Sequence, residues 1–288
     1  MNYPKLKVNT EKIKHNVEII VEHCKRNEIK VAGVTKVFCG EPKIANAYID
    51  GGVDYLADSR IENLIKLKDL NIPKILLRLP MQSEAELVVE YTDISLNSEI
   101  ETIKILSEKA VEKGIIHKII LMVDLGDLRE GYYSEEDLYN AVEEILKFKG
   151  IELMGIGTNL TCYGGVIPDE NNLGRLVEIG KFIEEKYNIN LEITSGGNSS
   201  SLYLIIEDNM VKGINNIRLG ESLILGRETA YGKKIENTHE DAFQLEVEII
   251  EIKEKPSIPI GKIGMDAFGR EPSFVDKGIR KRIIAAIG

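Results

Sequence analysis

Apolar residues in this chain fall into short continuous runs that alternate with longer segments of helical spacing. A helix is predicted from Asn9 or Thr10, either of which can cap it, to about residue 27. The apolar runs predict eight strands, at 30–36, 53–57, 74–79, 93–96, 118–123, 152–158, 191–194 and 216–225. Helical segments separate them, at 42–50, 59–70, 83–90, 98–113, 134–147, 171–186 and 200–207.

This alternation predicts an α/β fold of the TIM type, a (β/α)8 barrel over residues 9–230. Strands that are apolar throughout, instead of at every second residue, are typical of parallel sheets whose outer face is covered by helices. An open, doubly wound parallel sheet is the alternative, because it has the same alternation of strands and helices.

After residue 230 the pattern changes to short strands separated by Pro and Gly, without helical segments between them. We therefore predict a small β domain formed by residues 231–288 together with 1–8. This domain is expected to be incomplete, because the sequence stops in an apolar strand at Gly288. Natural C-termini usually leave the core before they end, so a chain truncated at its C-terminus is the expectation.

The composition argues against several classes of protein. The 288 residues carry a formal charge of −10 and no basic run interleaved with aromatics, so no nucleic-acid partner is predicted. No apolar run approaches the length of a membrane span, and the N-terminus lacks the apolar region of a signal peptide. Three cysteines without CxxC spacing are typical of a reducing compartment, which predicts a cytoplasmic location. Four widely spaced histidines indicate no metal site.

Lys36 ends the first predicted strand, which is otherwise apolar. An ammonium in such a position must be paired, lose its proton or reach water. A lysine at the C-terminal end of a barrel strand, where barrel enzymes carry their chemistry, is well placed to form a Schiff base. The alternative is a lysine that extends from the rim of the strand into solvent.

The segment SGGNSSS at 195–201 follows the seventh strand. A glycine-rich turn that leads into a helix offers backbone amides and hydroxyls to a phosphate, and barrels commonly bind phosphate at this place. Gly220, after the eighth strand, supports this interpretation, while an ordinary Gly/Ser loop is the alternative. Arg218 lies in an otherwise apolar strand and needs a partner, either a carboxylate or an acceptor on a ring.

Five segments occur in order at the ends of predicted strands: VTK at 34–36, DLGDLREG at 124–131, TNL at 158–160, GGNSSS at 196–201 and RLGESLILG at 218–226. Taken together, they resemble the alanine racemase family of pyridoxal-phosphate enzymes, and most closely the ornithine racemases within it. The resemblance covers about residues 5–230. It implies a TIM barrel, pyridoxal 5'-phosphate as the cofactor, and an amino acid as the small-molecule substrate.

The resemblance also implies roles for single residues. Lys36 would form the Schiff base with the cofactor. Asn198, Ser199 and the backbone near Gly220 would bind its phosphate. Arg218 would face the pyridine nitrogen. An arginine there keeps that nitrogen unprotonated and favours racemisation over transamination.

Arg129 would face the phenolic oxygen, and Asn159 stands among the cofactor-binding residues where the family usually has a histidine. A second departure is Gly40, at the position of a family tyrosine. The resemblance implies a homodimer in which a tyrosine of the partner subunit is the second base. In this family that tyrosine follows a strand similar to 282–288, which places it beyond Gly288.

The predicted function is an isomerase, a racemase that interconverts L and D amino acids. The resemblance to ornithine racemases implies ornithine, with lysine next, as the substrate. Glu221 and Glu228, with Asp124 and Asp127 nearby in the sequence, are acidic residues that would attract a distal ammonium. These carboxylates could instead be loop residues or partners of arginines. Four alternatives stay open: alanine racemase proper, a pyridoxal-phosphate carrier without catalysis, a cofactor-dependent aldolase or decarboxylase, which Arg218 disfavours, and a phosphate-binding barrel without this cofactor.

Overall fold

The computed structural model of the protein describes residues 3–287. Contacts between Cα atoms divide these residues into two compact units, one of residues 9–242 and one of residues 3–8 with 243–287. The domain boundaries given above stay predictions. Each unit is described by itself below, with strands and helices numbered along the chain.

The larger unit contains a closed barrel of eight parallel strands, which confirms the predicted fold class. Its strands follow β1 (Lys5–Val8) of the smaller unit and are β2 (Lys30–Val34), β3 (Tyr55–Asp58), β4 (Lys74–Leu76), β5 (Ile94–Asn97), β6 (His117–Met122), β7 (Ile151–Gly157), β8 (Ile193–Ser195) and β9 (Asn216–Leu219). The barrel closes where Ala32 of β2 lies beside Arg218 of β9. An open sheet, the alternative fold, is therefore wrong.

Helices alternate with the barrel strands. They are α1 (Thr10–Arg26), α2 (Pro42–Asp50), α3 (Ile61–Lys66), α4 (Ala85–Tyr91), α5 (Ile100–Lys113), α6 (Glu135–Ile145), α7 (Glu170–Tyr187), α8 (Leu202–Ile206) and α9 (Glu221–Leu225). Side-chain caps set several starts: Asn9 Oδ1 accepts from the Lys12 amide at 3.1 Å, and Asp169 and Asn172 form a capping box at α7. Among the helices of residues 3–287, none is long and apolar enough to cross a membrane.

Two buried layers explain why the strands are apolar throughout. In β6, Ile120 and Met122 belong to the cluster inside the barrel, whereas Ile119 and Leu121 pack with residues of the helices outside. Successive side chains of a strand point to opposite faces, so burial of both faces requires apolar residues at every position. Within the strands there is consequently little place for polar side chains, and most of them lie where the strands end.

Two predicted elements differ from the structure at the site's edge. The first strand ends at Val34, and Lys36 begins a 3-10 turn (Lys36–Phe38). The eighth strand ends at Leu219, and the residues predicted to extend it form α9 instead. A short apolar run does not separate strand from helix by its periodicity. Here Gly220, with φ −130° and ψ −73°, leaves the strand conformation and caps the helix.

The smaller unit consists of two antiparallel pairs of strands. In one, β1 pairs with β10 (Phe243–Glu246), and an ion pair joins Lys7 to Glu246. In the other, β11 (Ile249–Pro256) pairs with β12 (Ile279–Ala285). The short strands predicted after residue 230, without helices between them, are therefore present.

Candidate active site

A cavity of about 840 Å³ opens at the C-terminal ends of the barrel strands. All seven residues predicted from the sequence to bind the cofactor line it: Lys36, Arg129, Asn159, Asn198, Ser199, Arg218 and Gly220. They come from five different strand ends, so the barrel brings together residues that are up to 184 positions apart in the chain. Their individual roles stay predictions.

Lys36 is held at the cavity through its neighbour Thr35. The buried Thr35 hydroxyl donates to Asp58 Oδ2 at 2.6 Å, and Asp58 Oδ1 accepts from Asn63 Nδ2 at 3.1 Å. Asp58 thus uses both oxygens to fix the turn after β2. The Lys36 side chain is exposed to the cavity, and its amine has no hydrogen bond or ion pair with any residue in the described range.

Gly40 closes the same turn and leaves no space for a side chain. Its φ is +63°, a conformation that L side chains rarely adopt, and a Cβ at this position would lie 2.7 Å from Asn63 O. The glycine that stands in place of the family's tyrosine is therefore required by the packing of this turn against α3.

Arg218 lies on β9 at the floor of the cavity and is 4% exposed. Its Nη1 donates to Ser195 Oγ at 2.6 Å and its Nη2 donates to Thr158 O at 2.7 Å. Burial lowers the pKa of Arg218 to about 10, with Glu130 acting to raise it and Arg129 to lower it. The guanidinium remains a cation at neutral pH. Within residues 3–287 it has no direct ion pair with a carboxylate, and its partners are instead the Ser195 hydroxyl and the Thr158 carbonyl.

Arg129 and Glu130 lie on the loop between β6 and α6. The Glu130 carboxylate accepts hydrogen bonds from the Arg129 guanidinium and, at 3.0 Å, from Asn159 Nδ2. Asn159 Oδ1 accepts from Asn198 Nδ2 at 2.8 Å, and this nitrogen also donates to Leu160 O at 2.9 Å. A continuous polar chain therefore joins the loop after β6 to the loop after β8.

The loop after β8 forms a cradle of backbone amides and hydroxyls. Asn198 Oδ1 accepts from the Ser200 amide at 2.8 Å and so caps the short 3-10 turn there. Ser199 Oγ lies 3.1 Å from Ser222 Oγ and 3.4 Å from the Gly220 amide, which places the start of α9 beside it. Ser200 Oγ is buried without a hydrogen-bond partner in the part of the chain that the structure describes.

The cavity has a local excess of positive charge in a chain whose formal charge is −10. Five of its lining side chains are cationic and three are carboxylates. The cations are Lys36, Arg78, Arg129, Arg218 and Arg227, and the carboxylates are Glu130, Glu221 and Glu228. Such a site favours a ligand that carries several negative charges, as a phosphate ester or a carboxylate does.

The two glutamates predicted to select the substrate differ in their surroundings. Glu221 is exposed to the cavity, and no described residue pairs with its carboxylate. Glu228 is 2% exposed, and its oxygens accept from the backbone amides of Ala230 at 2.7 Å and Lys233 at 2.6 Å. Glu228 therefore organises its own loop, and the expectation that it attracts a ligand cation needs correction.

Asp124 and Asp127 also organise loops. Asp124 Oδ1 accepts from the amides of Gly126 and Leu128. Buried Asp127 accepts from three amides of the loop after β7, those of Cys162 at 3.1 Å, Tyr163 at 2.8 Å and Val166 at 3.0 Å. Burial acts to raise the pKa of the Asp127 carboxyl, but these hydrogen bonds bring it below its ordinary value. Neither aspartate lines the cavity.

Sequence reasoning missed Glu130 and Ser222. Glu130 follows a predicted arginine, but nothing in the sequence indicates that its carboxylate reaches Asn159. Ser222 lies in a segment predicted as a strand, so the sequence did not indicate that it begins α9 beside Ser199. A hydroxyl two residues after Gly220, which was itself a predicted site residue, could have suggested it.

Comparison with known proteins agrees with this geometry. The model of the alanine racemase N-terminal domain matches residues 8–228. Ornithine racemase of Acetoanaerobium sticklandii is 51% identical over 99% of this chain and 81% of that protein. Lysine racemase of Thermotoga maritima is 42% identical over 100% of this chain and 81% of its own length.

Among solved structures, an alanine racemase of Clostridium difficile 630 superposes with a TM-score of 0.70 at 19% identity, over 99% of this chain and 72% of that one. At this identity the likeness shows the fold alone. The match to the family model over most of the chain and the two relatives above 40% identity show more, and they confirm the resemblance predicted from the sequence. The protein belongs to the alanine racemase family.

Proposed function

We propose that this protein is a pyridoxal-phosphate-dependent racemase that inverts the α-carbon of a diamino acid, with ornithine first and lysine next. One observation carries the proposal: the amine of Lys36, which has no partner among residues 3–287, and the buried guanidinium of Arg218 share one cavity. The lysine can attach the cofactor covalently, the arginine can donate a hydrogen bond to its ring, and the hydroxyl-lined loop after β8 can bind its phosphate.

The residues present fit this cofactor. The cavity volume lies within the roughly 300–1,000 Å³ usual for ligand sites, and its charge excess suits a phosphorylated ligand. The buried Ser200 hydroxyl, which has no partner among residues 3–287, lies in the predicted phosphate cradle. In the proposal Asn198, Ser199 and the backbone at Gly220 would hold the phosphate, Arg218 would donate to the ring nitrogen, and Arg129 would face the phenolic oxygen.

Pyridoxal phosphate supplies an electron-withdrawing ring that makes the α-proton of a bound amino acid easier to remove. The protein supplies the proton transfers. Lys36 Nζ takes the α-proton on one face of the substrate and returns it there in the reverse reaction. Arg218 keeps its own protons at neutral pH, so toward the ring nitrogen it would act as a hydrogen-bond donor and would transfer no proton. This arrangement favours reprotonation of the α-carbon over transfer of the amino group.

The substrate class follows from the relatives and from one carboxylate. The two curated relatives named above are an ornithine and a lysine racemase. Both substrates carry a distal ammonium. Glu221, exposed to the cavity and unpaired within the described residues, is the carboxylate that can receive it.

The proposal includes a homodimer in the cytoplasm. Racemisation requires a second proton-transferring group on the opposite face of the substrate, and the described residues that line the cavity include no histidine or tyrosine. Large side chains more than half exposed follow the strand ends around it, namely Val37, Leu128, Tyr133, Tyr163 and Tyr231. A second subunit would cover this apolar rim and supply the missing group. The three free cysteines are consistent with a reducing compartment.

Reduction with borohydride in the presence of the cofactor tests the proposal. We expect the cofactor to become attached to the peptide that contains Lys36, and Lys36→Arg to abolish labelling and lower ornithine racemisation by about 10²–10⁴-fold. Lys109→Arg, at a lysine of α5 that pairs with Glu112 and does not line the cavity, is the matched control and should leave both unchanged. Attachment at another lysine, or none, would contradict the assignment.

A further inference from the structure

Glu130 occupies a position that the proposed function does not use. Its side chain is 15% exposed, and it lines the cavity between two elements. Both carboxylate oxygens accept from the Arg129 guanidinium, and Oε1 also accepts from Asn159 Nδ2. A carboxylate that is largely withdrawn from water is costly unless its lone pairs are filled, and here they are.

Glu130 forms one end of the polar chain. A carboxylate accepts only, so Asn159 presents its Nδ2 to Glu130 and its Oδ1 to Asn198 Nδ2. At the other end, Asn198 is oriented by two backbone groups, because its Oδ1 accepts from the Ser200 amide and its Nδ2 also donates to Leu160 O. Asn159 is therefore held from both sides, by Glu130 and by the asparagine of the phosphate cradle.

Charge gives Glu130 a second effect. Two guanidinium groups, those of Arg129 and Arg218, line the cavity, and Glu130 is the carboxylate that acts on Arg218 in the direction opposite to Arg129. The other titratable groups that line the cavity are Lys36, Arg78, Cys162, Glu221, Arg227 and Glu228. Together the two guanidiniums and the Glu130 carboxylate carry one net positive charge, where the guanidiniums alone would carry two.

We propose that Glu130 is a positioning residue that aligns Arg129 and the Asn159–Asn198 chain with the cofactor and offsets one positive charge beside it. The proposal rests on the cofactor site proposed above. Glu130 itself contacts neither substrate nor cofactor in this account. Its effect reaches the ligand through the arginine and the two asparagines.

The test uses Glu130→Gln in the cofactor-loaded protein. Glutamine has the same size but offers an N–H where the carboxylate had a lone pair, and it removes the charge. We expect cofactor affinity to fall about 10- to 100-fold, as for loss of one charged hydrogen bond. We also expect the pH midpoint of the cofactor's visible absorbance band to fall by about one unit, because added positive charge disfavours a protonated nitrogen nearby.

Glu130→Asp keeps the charge on a shorter side chain and should restore the midpoint while binding stays weaker. Glu143→Gln, which removes an exposed carboxylate paired with Lys186, is the matched control and should change neither quantity. A Glu130→Gln protein with the affinity and midpoint of the wild type would overturn the proposal, as would weaker binding with an unmoved midpoint. Failure of the wild type to form the band with Lys36 would instead refute the proposed function. Should Glu130→Gln not fold, the Asp variant and the wild type still give the comparison of affinity, and equal affinity would overturn the proposal.

Discussion

Replacement of Arg218 separates its contribution to stability from its contribution to the site. Burial lowers the pKa of this guanidinium to about 10, which corresponds to roughly 3 kcal/mol against its charged form. Its hydrogen bonds to Ser195 and Thr158 come from a charged donor and contribute about 1.5–3 kcal/mol each. The two hydrogen bonds together contribute about 3–6 kcal/mol, so the side chain stabilises the fold by about 0–3 kcal/mol net of the cost of burial. Arg218→Met removes both, so we expect the free energy of unfolding to fall by only about 0–3 kcal/mol.

Arg218→Lys should be worse than Arg218→Met, although it looks more conservative. The ammonium keeps the cost of a buried charge, is more strongly hydrated than a guanidinium, and cannot reach both acceptors with the same planar fork. We expect a loss of about 3–5 kcal/mol, as for a buried charge left without a partner. Urea unfolding of cofactor-free protein, followed by circular dichroism, measures both variants.

Arg175→Met is the control for this series, because Arg175 is half exposed and paired with Glu135 on the surface. Its effect should stay within about 0.5 kcal/mol. The reasoning would be refuted by a Lys variant as stable as the wild type together with a Met variant that loses more than about 4 kcal/mol. That outcome would make Arg218 a stabilising residue whose charge costs little.

Three further predictions concern single positions. Glu221→Gln should lower the preference for ornithine over alanine in kcat/KM about tenfold. Glu228→Gln should leave that preference unchanged and lower the free energy of unfolding by about 1–3 kcal/mol. The opposite pattern would show that Glu228 selects the substrate and Glu221 stabilises its loop. Gly40→Ala should cost about 2 kcal/mol or more, measured by urea unfolding, because its Cβ would meet Asn63 O at 2.7 Å with φ at +63°. Asp127 has a pKa below its ordinary 3.8, so its stabilisation is present above that pH and lost as pH falls through the folded value. The stability difference between wild type and Asp127→Asn should shrink over that range, and a constant difference would contradict the assignment.

The barrel could be predicted from the sequence because both faces of each strand are buried, one inside the barrel and the other against the helices. In β6, alternate residues pack inward and outward, so the apolar run has no polar gap and can be recognised from its composition. The segment after Leu219 carries the same kind of run and was predicted wrongly as strand. Its conformation depends on Gly220 and on the start of α9 beside Ser199, and neither is visible in the periodicity.

The same distinction applies to the site. Some of its residues can be recognised from their place in a strand, whereas the role of others depends on their hydrogen-bond partners in the folded chain. Lys36 and Arg218 could be predicted because a cation in or beside a buried strand is unusual wherever the loops go. The carboxylates could not be sorted in this way. Glu221 and Glu228 lie only seven residues apart in the sequence. The Glu228 carboxylate accepts hydrogen bonds from backbone amides of its own loop, whereas Glu221 is exposed to the cavity. Since a loop amide can come from any nearby residue, only the folded chain shows which acidic side chain stays open to the cavity.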